Sequence, residues 1–87
     1  MWVNAMSEKI VAFVLLVTEI GREHEVVDRI GSVCKDVGVG CESYVVYGEY
    51  DVLVKLLADN LKKIDQAVTR IRKLSGILRT VTLIAST

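Results

Sequence analysis

Apolar residues along this chain follow two different spacings, which mark strands and helices in turn. Ile10–Thr18 is apolar at nearly every position and rich in Val and Leu, which is typical of a short central strand covered on both faces. Residues 41–47 and 52–58 predict two strands joined by a turn, and residues 77–84 alternate in a last strand. We therefore expect four strands.

A helix is predicted between the first two strands. Acidic Glu23 and Glu25 follow Gly21, at a helix N-terminus, where negative charge is favourable. The helix is expected to end before Gly38. Its apolar positions form one stripe: Val26, Val27, Ile30, Val33 and Cys34.

A second helix is predicted between the last two strands. Asp59 or Asn60 is expected to cap its start, and Gly76 is placed to end it. Residues 59–75 contain five basic and two acidic residues, and such an excess of positive charge is typical of a solvated helix face. The apolar stripe consists of Leu61, Ile64, Ala67, Val68, Ile71 and Leu74.

The element order βαββαβ with right-handed crossovers predicts an α+β ferredoxin-like plait, with both helices on one face of the sheet. A tight turn between the middle strands would place Tyr47 opposite Val52 on the helix side and Tyr44 opposite Lys55 on the other side. That other side remains mostly apolar over roughly 440 Å², estimated from the strand spacing and rise. Such patches usually mark an interface, so we expect a sheet-to-sheet dimer of the dimeric α/β-barrel type.

Composition narrows the class of protein. The chain has 87 residues, enough for one small domain over residues 8–87 after a short arm, residues 1–7, to which Trp2 is assigned. Lys and Arg balance Asp and Glu, so the basic surface that nucleic-acid binding requires is missing. No apolar run is long enough for a membrane span and no signal peptide is recognisable, which predicts a cytoplasmic protein.

Metal or cofactor binding is not expected. Cys34 and Cys41 are too widely spaced for a C-x-x-C pair, and His24 is the single histidine. A disulfide across residues 38–40 is sterically feasible, but reduced, buried thiols are the expectation in the cytoplasm. His24 is interpreted as a solvated residue in the first helical turn.

All three tyrosines fall within residues 44–51, which also contain a glycine and two carboxylates at the predicted turn. Aromatic and acidic side chains around a turn indicate a candidate binding site. The alternative is a stabilised hairpin whose tyrosines fill the pleated surface, as strand propensity alone would favour.

Three segments together resemble the RAM domain, the ligand-sensing domain of the Lrp/AsnC family of feast/famine transcription regulators. They are the start of the first helix (residues 21–27), the hairpin with its returning strand (residues 44–55) and the passage into the last strand (residues 75–80). The resemblance covers residues 8–86 and rests on the order and spacing of these segments.

The resemblance implies an effector-binding module that dimerises through its sheets, assembles dimers into rings and binds an amino acid between dimers. An amino acid presents an ammonium, which suits an acceptor such as Asp51, and a carboxylate, which suits N–H or hydroxyl donors. Threonines of the last strand are weaker candidates, being equally plain strand formers. The implied site residues are Tyr47, Gly48, Glu49, Tyr50, Asp51, Thr80 and Thr82.

One departure from the full regulators is the lack of room for a helix-turn-helix before the first strand. We therefore expect a stand-alone RAM domain that either modulates full-length relatives by co-assembly or simply binds amino acids. Two other classes stay open: a small dimeric plait enzyme, such as a cofactor-free monooxygenase or isomerase, and a purely structural assembly module. No nucleophile–base pair at informative spacing favours an enzyme.

Overall fold

The computed structural model describes residues 9–85, so the predicted arm and Trp2 lie outside the described residues. It confirms the predicted βαββαβ order and the ferredoxin-like plait. The elements are β1 (Ile10–Thr18), α1 (Glu23–Val37), β2 (Gly40–Val45), β3 (Val52–Ala58), α2 (Leu61–Arg72) and β4 (Ile77–Ile84).

The four strands form one antiparallel sheet in the order β2-β3-β1-β4, which places β1 in the centre as predicted. Both helices bury their apolar stripes against one face of this sheet. Alternate residues of β1 and β3 supply the sheet's half of the core, because successive side chains of a strand point to opposite faces. These residues are Ala12, Val14, Leu16, Val52, Val54, Leu56 and Ala58.

The predicted ends of α1 and the start of α2 are confirmed. Gly38 follows α1 in the left-handed region, with φ of 87°, and its N–H donates to the Cys34 carbonyl at 2.8 Å. Asn60 caps α2 by accepting a hydrogen bond from the Lys63 N–H at 2.9 Å. Both ends therefore satisfy backbone groups that the helices leave without partners.

The prediction that Gly76 ends α2 is wrong. The helix stops at Arg72, and Gly76 lies in the turn that leads into β4, with φ of 93°. Its carbonyl accepts a hydrogen bond from the Glu19 N–H at 2.8 Å, and a side chain there would meet the Arg22 guanidinium at 3.1 Å. The glycine is thus required by its left-handed backbone conformation, because the flexible end of the Arg22 side chain can move aside.

The predicted register between β2 and β3 is wrong by two residues. The structure pairs Val45 with Val52 and Tyr44 with Leu53, and β2 ends at Val45 rather than continuing to residue 47. Because a shift of two preserves the alternation of faces, Val45 and Tyr44 lie on the predicted sides. Tyr47, predicted to face the helices, is instead 99 % exposed.

The face of the sheet opposite the helices carries a continuous set of half-buried or exposed apolar residues, which we call the open face. The β1 and β4 registers place Leu15 between Leu53 and Val81 at its centre. Its apolar members are Val11, Phe13, Leu15, Val17, Leu53, Leu57, Val81 and Leu83. In the part of the chain that the structure describes, neither helix is long and apolar enough to cross a membrane.

Candidate functional site

The tight turn that was predicted to carry the binding site is a six-residue loop, residues 46–51, between β2 and β3. The Val46 N–H donates to the Asp51 carbonyl at 2.9 Å and closes the base of the loop. Gly48 has φ of 135°, a backbone conformation that side-chain-bearing residues rarely adopt. The loop is therefore wider than the tight turn predicted from the sequence, which explains the shifted register.

Asp51 is fixed by the central strand rather than by its own loop. Its N–H donates to the Leu16 carbonyl at 2.8 Å, and its Oδ2 accepts a hydrogen bond from the Thr18 N–H at 2.8 Å. The pairing of β1 with β4 shifts between Val17 and Thr18, and the carboxylate meets β1 at this irregularity. Among residues 9–85, no hydrogen-bond donor reaches the other carboxylate oxygen, Oδ1.

The upper part of the loop offers backbone donors beside this carboxylate. Within the described residues, none of the four N–H groups of residues 47–50 donates to a protein acceptor. Tyr47 and Glu49 are exposed, so their side chains leave the loop backbone open to solvent. The loop therefore contains both N–H donors and a carboxylate acceptor, which are the groups that the carboxylate and the ammonium of a free amino acid require.

Tyr50 leans toward the last strand and contacts Arg79. The Arg79 Nη2 donates to the Tyr50 hydroxyl at 3.0 Å, and the guanidinium carbon lies 5.5 Å from the ring centroid. Arg79 lies opposite Val17 on β1, on the side of the open face. This contact joins the loop to β4 and adds a positive charge at the loop's edge.

Thr80 and Thr82 lie apart from the loop. Both belong to the helix side of β4, opposite Leu16 and Val14, and line a cleft of about 530 Å³ between β4 and α2. No residue of the loop lines this cleft. Its other walls are Leu61, Ile64, Asp65, Val68, Arg72 and Ile84.

A smaller groove of about 330 Å³ continues from the cleft along β4. It shares Arg72 and Thr80 with the cleft and extends to Arg79, which contacts the loop. The structure thus gathers the predicted site residues into two groups, the loop and the cleft, with Arg79 between them.

Sequence reasoning missed three side chains of these surfaces and one backbone donor. Arg79 could have been suspected as the one charge in the apolar alternation of its strand, next to Thr80. Arg72 and Asp65 had no signal, since charges on an exposed helix face are common. Thr18 contributes its backbone N–H, which donates to Asp51, and no sequence pattern indicates such a contact. Among residues 9–85 no cluster of three His, Cys, Asp or Glu side chains is suited to a metal ion.

The ferredoxin-like plait of this chain is shared with the ligand-binding domains of Lrp/AsnC regulators. The sequence model of the Lrp/AsnC ligand binding domain matches residues 12–87, and the chain belongs to this family. This confirms the resemblance found in the sequence. The family and its structural neighbours are regulatory domains rather than enzymes.

Three solved structures illustrate the similarity. FFRP-DM1 is 45 % identical, with a TM-score of 0.75, covering 88 % of this chain and 99 % of that chain. PHS023 of Pyrococcus horikoshii is 44 % identical, with a TM-score of 0.75, covering 90 % of each chain. NMB0573 of Neisseria meningitidis, solved as a complex with L-Met, is 15 % identical with a TM-score of 0.70.

The Neisseria regulator is a longer protein, since the match covers 100 % of this chain but 57 % of that one. At this identity the likeness shows the fold alone. A search of curated proteins finds no match.

Proposed function

We propose that the chain is an amino-acid-binding, oligomerising regulatory module in which Asp51 recognises the ammonium group of the ligand. The observation that carries the proposal is the state of this carboxylate. One oxygen is held by the Thr18 N–H at 2.8 Å, and the other has no donor within the described residues. The side chain is therefore positioned before a ligand arrives, which lowers the ordering cost of binding.

The loop supplies the complementary donors. N–H groups of residues 47–50, among them those of Gly48 and Glu49, are free to bind the ligand carboxylate, as a concave row of backbone N–H groups does in other anion sites. Tyr47 and Tyr50 flank these groups with aromatic surface for the ligand side chain. The family assignment and the L-Met complex of the Neisseria relative support an amino acid as the ligand class.

Thr80 and Thr82 belong to the same proposed site, but we assign them to a second chain. Since Thr80 and Thr82 line the cleft under α2 and the loop does not, we assign the two surfaces of one site to different dimers. The cleft adds hydroxyl donors together with Arg72 and Asp65, which suit a zwitterion. The loop of one dimer would then close over the cleft of its neighbour.

Assembly begins, in this proposal, with a homodimer through the open face. Its central residue Leu15 has apolar neighbours on both adjacent strands, and an uncovered sheet face of this kind favours a partner sheet. Further dimers would join through the loop and cleft to form a ring. A full-length Lrp/AsnC regulator is a second candidate partner for the same face, because its RAM domain has the same fold.

Calorimetric titration of the protein against the twenty amino acids tests this function directly. Asp51→Asn retains an acceptor for the Thr18 N–H but removes the charge. We expect it to weaken binding by about 2–3 kcal/mol, the range for a hydrogen bond to a charged group, while the oligomer stays folded. Asp28→Asn, on the exposed side of α1, is the matched control for loss of one carboxylate charge.

Mixing two defective variants tests whether the site is shared. Asp51→Asn and Thr82→Val chains, mixed and refolded together, should regain part of the wild-type binding, because some interfaces then combine an intact loop with an intact cleft. Absence of any amino-acid binding by the wild type would refute the proposed function. Unchanged affinity in Asp51→Asn would refute the role of this residue, and lack of recovery in the mixture would place the whole site in one chain.

A further inference from the structure

Two arginines from different elements line one groove beside the last strand. Arg72 is the final residue of α2, on the helix side of the sheet, and Arg79 belongs to β4, on the side of the open face. Both residues and Thr80 border the groove of about 330 Å³, and Ile77 and Leu78 complete its walls. The groove is therefore flanked by positive charge from both faces of β4.

Neither arginine is neutralised by a carboxylate among residues 9–85. The Arg79 Nη2 donates to the Tyr50 hydroxyl at 3.0 Å, and this neutral acceptor leaves the charge uncompensated. Arg72 forms no ion pair within the described residues, whereas Arg70, on the same helix, pairs with Asp36 at 3.3 Å. The groove thus concentrates positive charge in a chain whose basic and acidic residues balance overall.

The exposed edge of β4 adds a backbone donor to the groove. β4 is an outer strand of the sheet, and the Ala85 N–H donates inward to the Val11 carbonyl at 2.9 Å. Because the N–H groups of successive residues in a strand point to alternate sides, the N–H of Thr80 points away from β1. Thr80 therefore offers an outward N–H, together with its hydroxyl, in the groove that both arginines line.

We propose that this groove is a binding site for a phosphate group, held by Arg72, Arg79 and the N–H and hydroxyl of Thr80. A phosphate monoester carries a charge of about −1.5 to −2 at neutral pH and three strong acceptor oxygens. Its charge matches two guanidinium groups, which bind such oxygens through paired N–H donors. A carboxylate, with one charge and two oxygens, leaves one arginine uncompensated.

The position of Arg72 alone has a simpler explanation. A cation in the last turn of a helix interacts favourably with the helix dipole. That explanation applies equally to Arg70, but it does not apply to Arg79, which belongs to a strand. The inference therefore rests on the two arginines that share one groove, and it requires both of them to contribute to binding.

The groove leaves room for the rest of a phosphorylated ligand. It continues into the cleft of about 530 Å³ under α2, because Arg72 and Thr80 line both spaces. An organic group esterified to the phosphate fits this cleft, whereas inorganic phosphate occupies the groove alone. The inference goes beyond the proposed function, since it uses neither Asp51 nor the N–H groups of the loop.

Amide NMR titration of the full chain tests the proposal. Inorganic phosphate, adenosine monophosphate and acetate are added separately at constant ionic strength and about pH 8, well above the second pKa of a phosphate monoester, about 6. We expect a saturable shift of the Thr80 N–H signal with both phosphates and about tenfold weaker binding of acetate. No saturable shift with either phosphate, or acetate binding of equal affinity, would overturn the proposal.

The same titration identifies the source of the phosphate. Tighter binding of adenosine monophosphate than of inorganic phosphate indicates an organic phosphate whose remaining part contacts the cleft. Equal or weaker binding of the nucleotide indicates that inorganic phosphate is the ligand. Both results support a phosphate site in the groove.

Two variants and one control assign the binding to the arginines. Arg72→Gln and Arg79→Gln each remove one guanidinium from an exposed position, so we expect phosphate binding to weaken by about tenfold or more in a folded protein. Arg70→Gln removes the same charge from α2 outside the groove and should keep the wild-type affinity. Equal losses in all three variants, or wild-type affinity in either groove variant, would contradict the proposal. If a variant does not fold, the wild-type shift at Thr80 and the comparison with acetate still decide whether the site exists.

Discussion

The Asp51 carboxylate makes one hydrogen bond within the fold, which occupies one of its two oxygens. In the structure its Oδ2 accepts the Thr18 N–H of the central strand rather than an N–H of the turn, and Oδ1 has no donor among residues 9–85. The structural bond uses half of the carboxylate, so it is compatible with the proposed ligand contact.

Gly48 and Gly31 make a matched pair for testing backbone strain. A methyl group added at either position meets nothing within 4 Å, but Gly48 has φ of 135° and Gly31 is helical. We expect Gly48→Ala to lower the free energy of unfolding by about 1–3 kcal/mol, the cost of a strained backbone conformation. Gly31→Ala should raise it by about 0.5–1 kcal/mol, because alanine favours a helix over glycine.

Urea denaturation at one fixed protein concentration measures both changes and avoids shifts that come from association. A Gly48→Ala variant as stable as the wild type would mean that the loop does not need a positive φ.

At the scale of elements, β1 carries two different surfaces. Val14 and Leu16 are fully buried under the helices, while Phe13 and Leu15 belong to the open face. This division explains why the strand is apolar at almost every position without alternation. A strand that is covered by its own chain on one side needs a second cover on the other.

Leu15→Lys tests the dimer through the open face. A lysine at the centre of an apolar interface would lose its hydration without a partner, so we expect light scattering to report dissociation toward a monomer. Ile20→Lys, at a position 99 % exposed in the loop after β1, is the control and should keep the wild-type mass. A folded Leu15→Lys protein of unchanged mass, or a monomeric wild type at micromolar concentration, would refute the dimer.

The loops at one end of the sheet are joined by Arg22. Its guanidinium bonds Glu19 at 2.8 Å and Glu25 at 2.7 Å and reaches the Ser75 hydroxyl at 3.2 Å, so it links the β1–α1 and α2–β4 connections. The hydrogen bond from Arg22 lowers the pKa of Glu25 below its ordinary value.

This shift predicts how stability depends on pH. A carboxylate with a lowered pKa in the folded state stabilises the protein above its unfolded pKa of about 4.3, and the effect is lost as pH falls through the folded value. Glu25→Gln should therefore lower the Tm at neutral pH and lose this difference in acid. Glu23→Gln, which removes a nearby carboxylate that forms no ion pair among the described residues, is the control for the loss of one charge.

At the scale of the molecule, charge argues against direct contact with nucleic acid. Eleven basic and eleven acidic residues give no net charge, and charge neutralisation supplies most non-specific affinity for DNA. We expect no sequence-specific duplex binding by this chain alone in a mobility-shift assay, even at low salt. A retarded band that survives competitor DNA would contradict this.

The chain is similar both to proteins of about its own length and to longer regulators. Its likeness to FFRP-DM1 and PHS023 extends over nearly their whole length, whereas it spans 58 % of Escherichia coli AsnC. Amino-acid binding and assembly, if measured, would therefore connect this small domain to the regulators through one shared module.

Local patterns were sufficient for most of the fold. The sequence by itself determined the element order, the bounds of β1 and β4, a cap of α2 at Asp59 or Asn60 and the glycine end of α1, because these depend on hydrophobic periodicity and on residues near in sequence. It also determined the family, since the segments that carry the resemblance keep their order and spacing.

Contacts between distant residues were decided only by the tertiary structure. The β2–β3 register goes with a wide loop whose last residue, Asp51, bonds the N–H of Thr18 thirty-three residues away on β1, and no local pattern encodes such a partner. The separation of Thr82 from the loop depends on which face of β4 it occupies, which follows from its pairing with Val14 of β1. The spacing of apolar residues determines the secondary structure of a segment, whereas the packing of the elements determines its tertiary contacts.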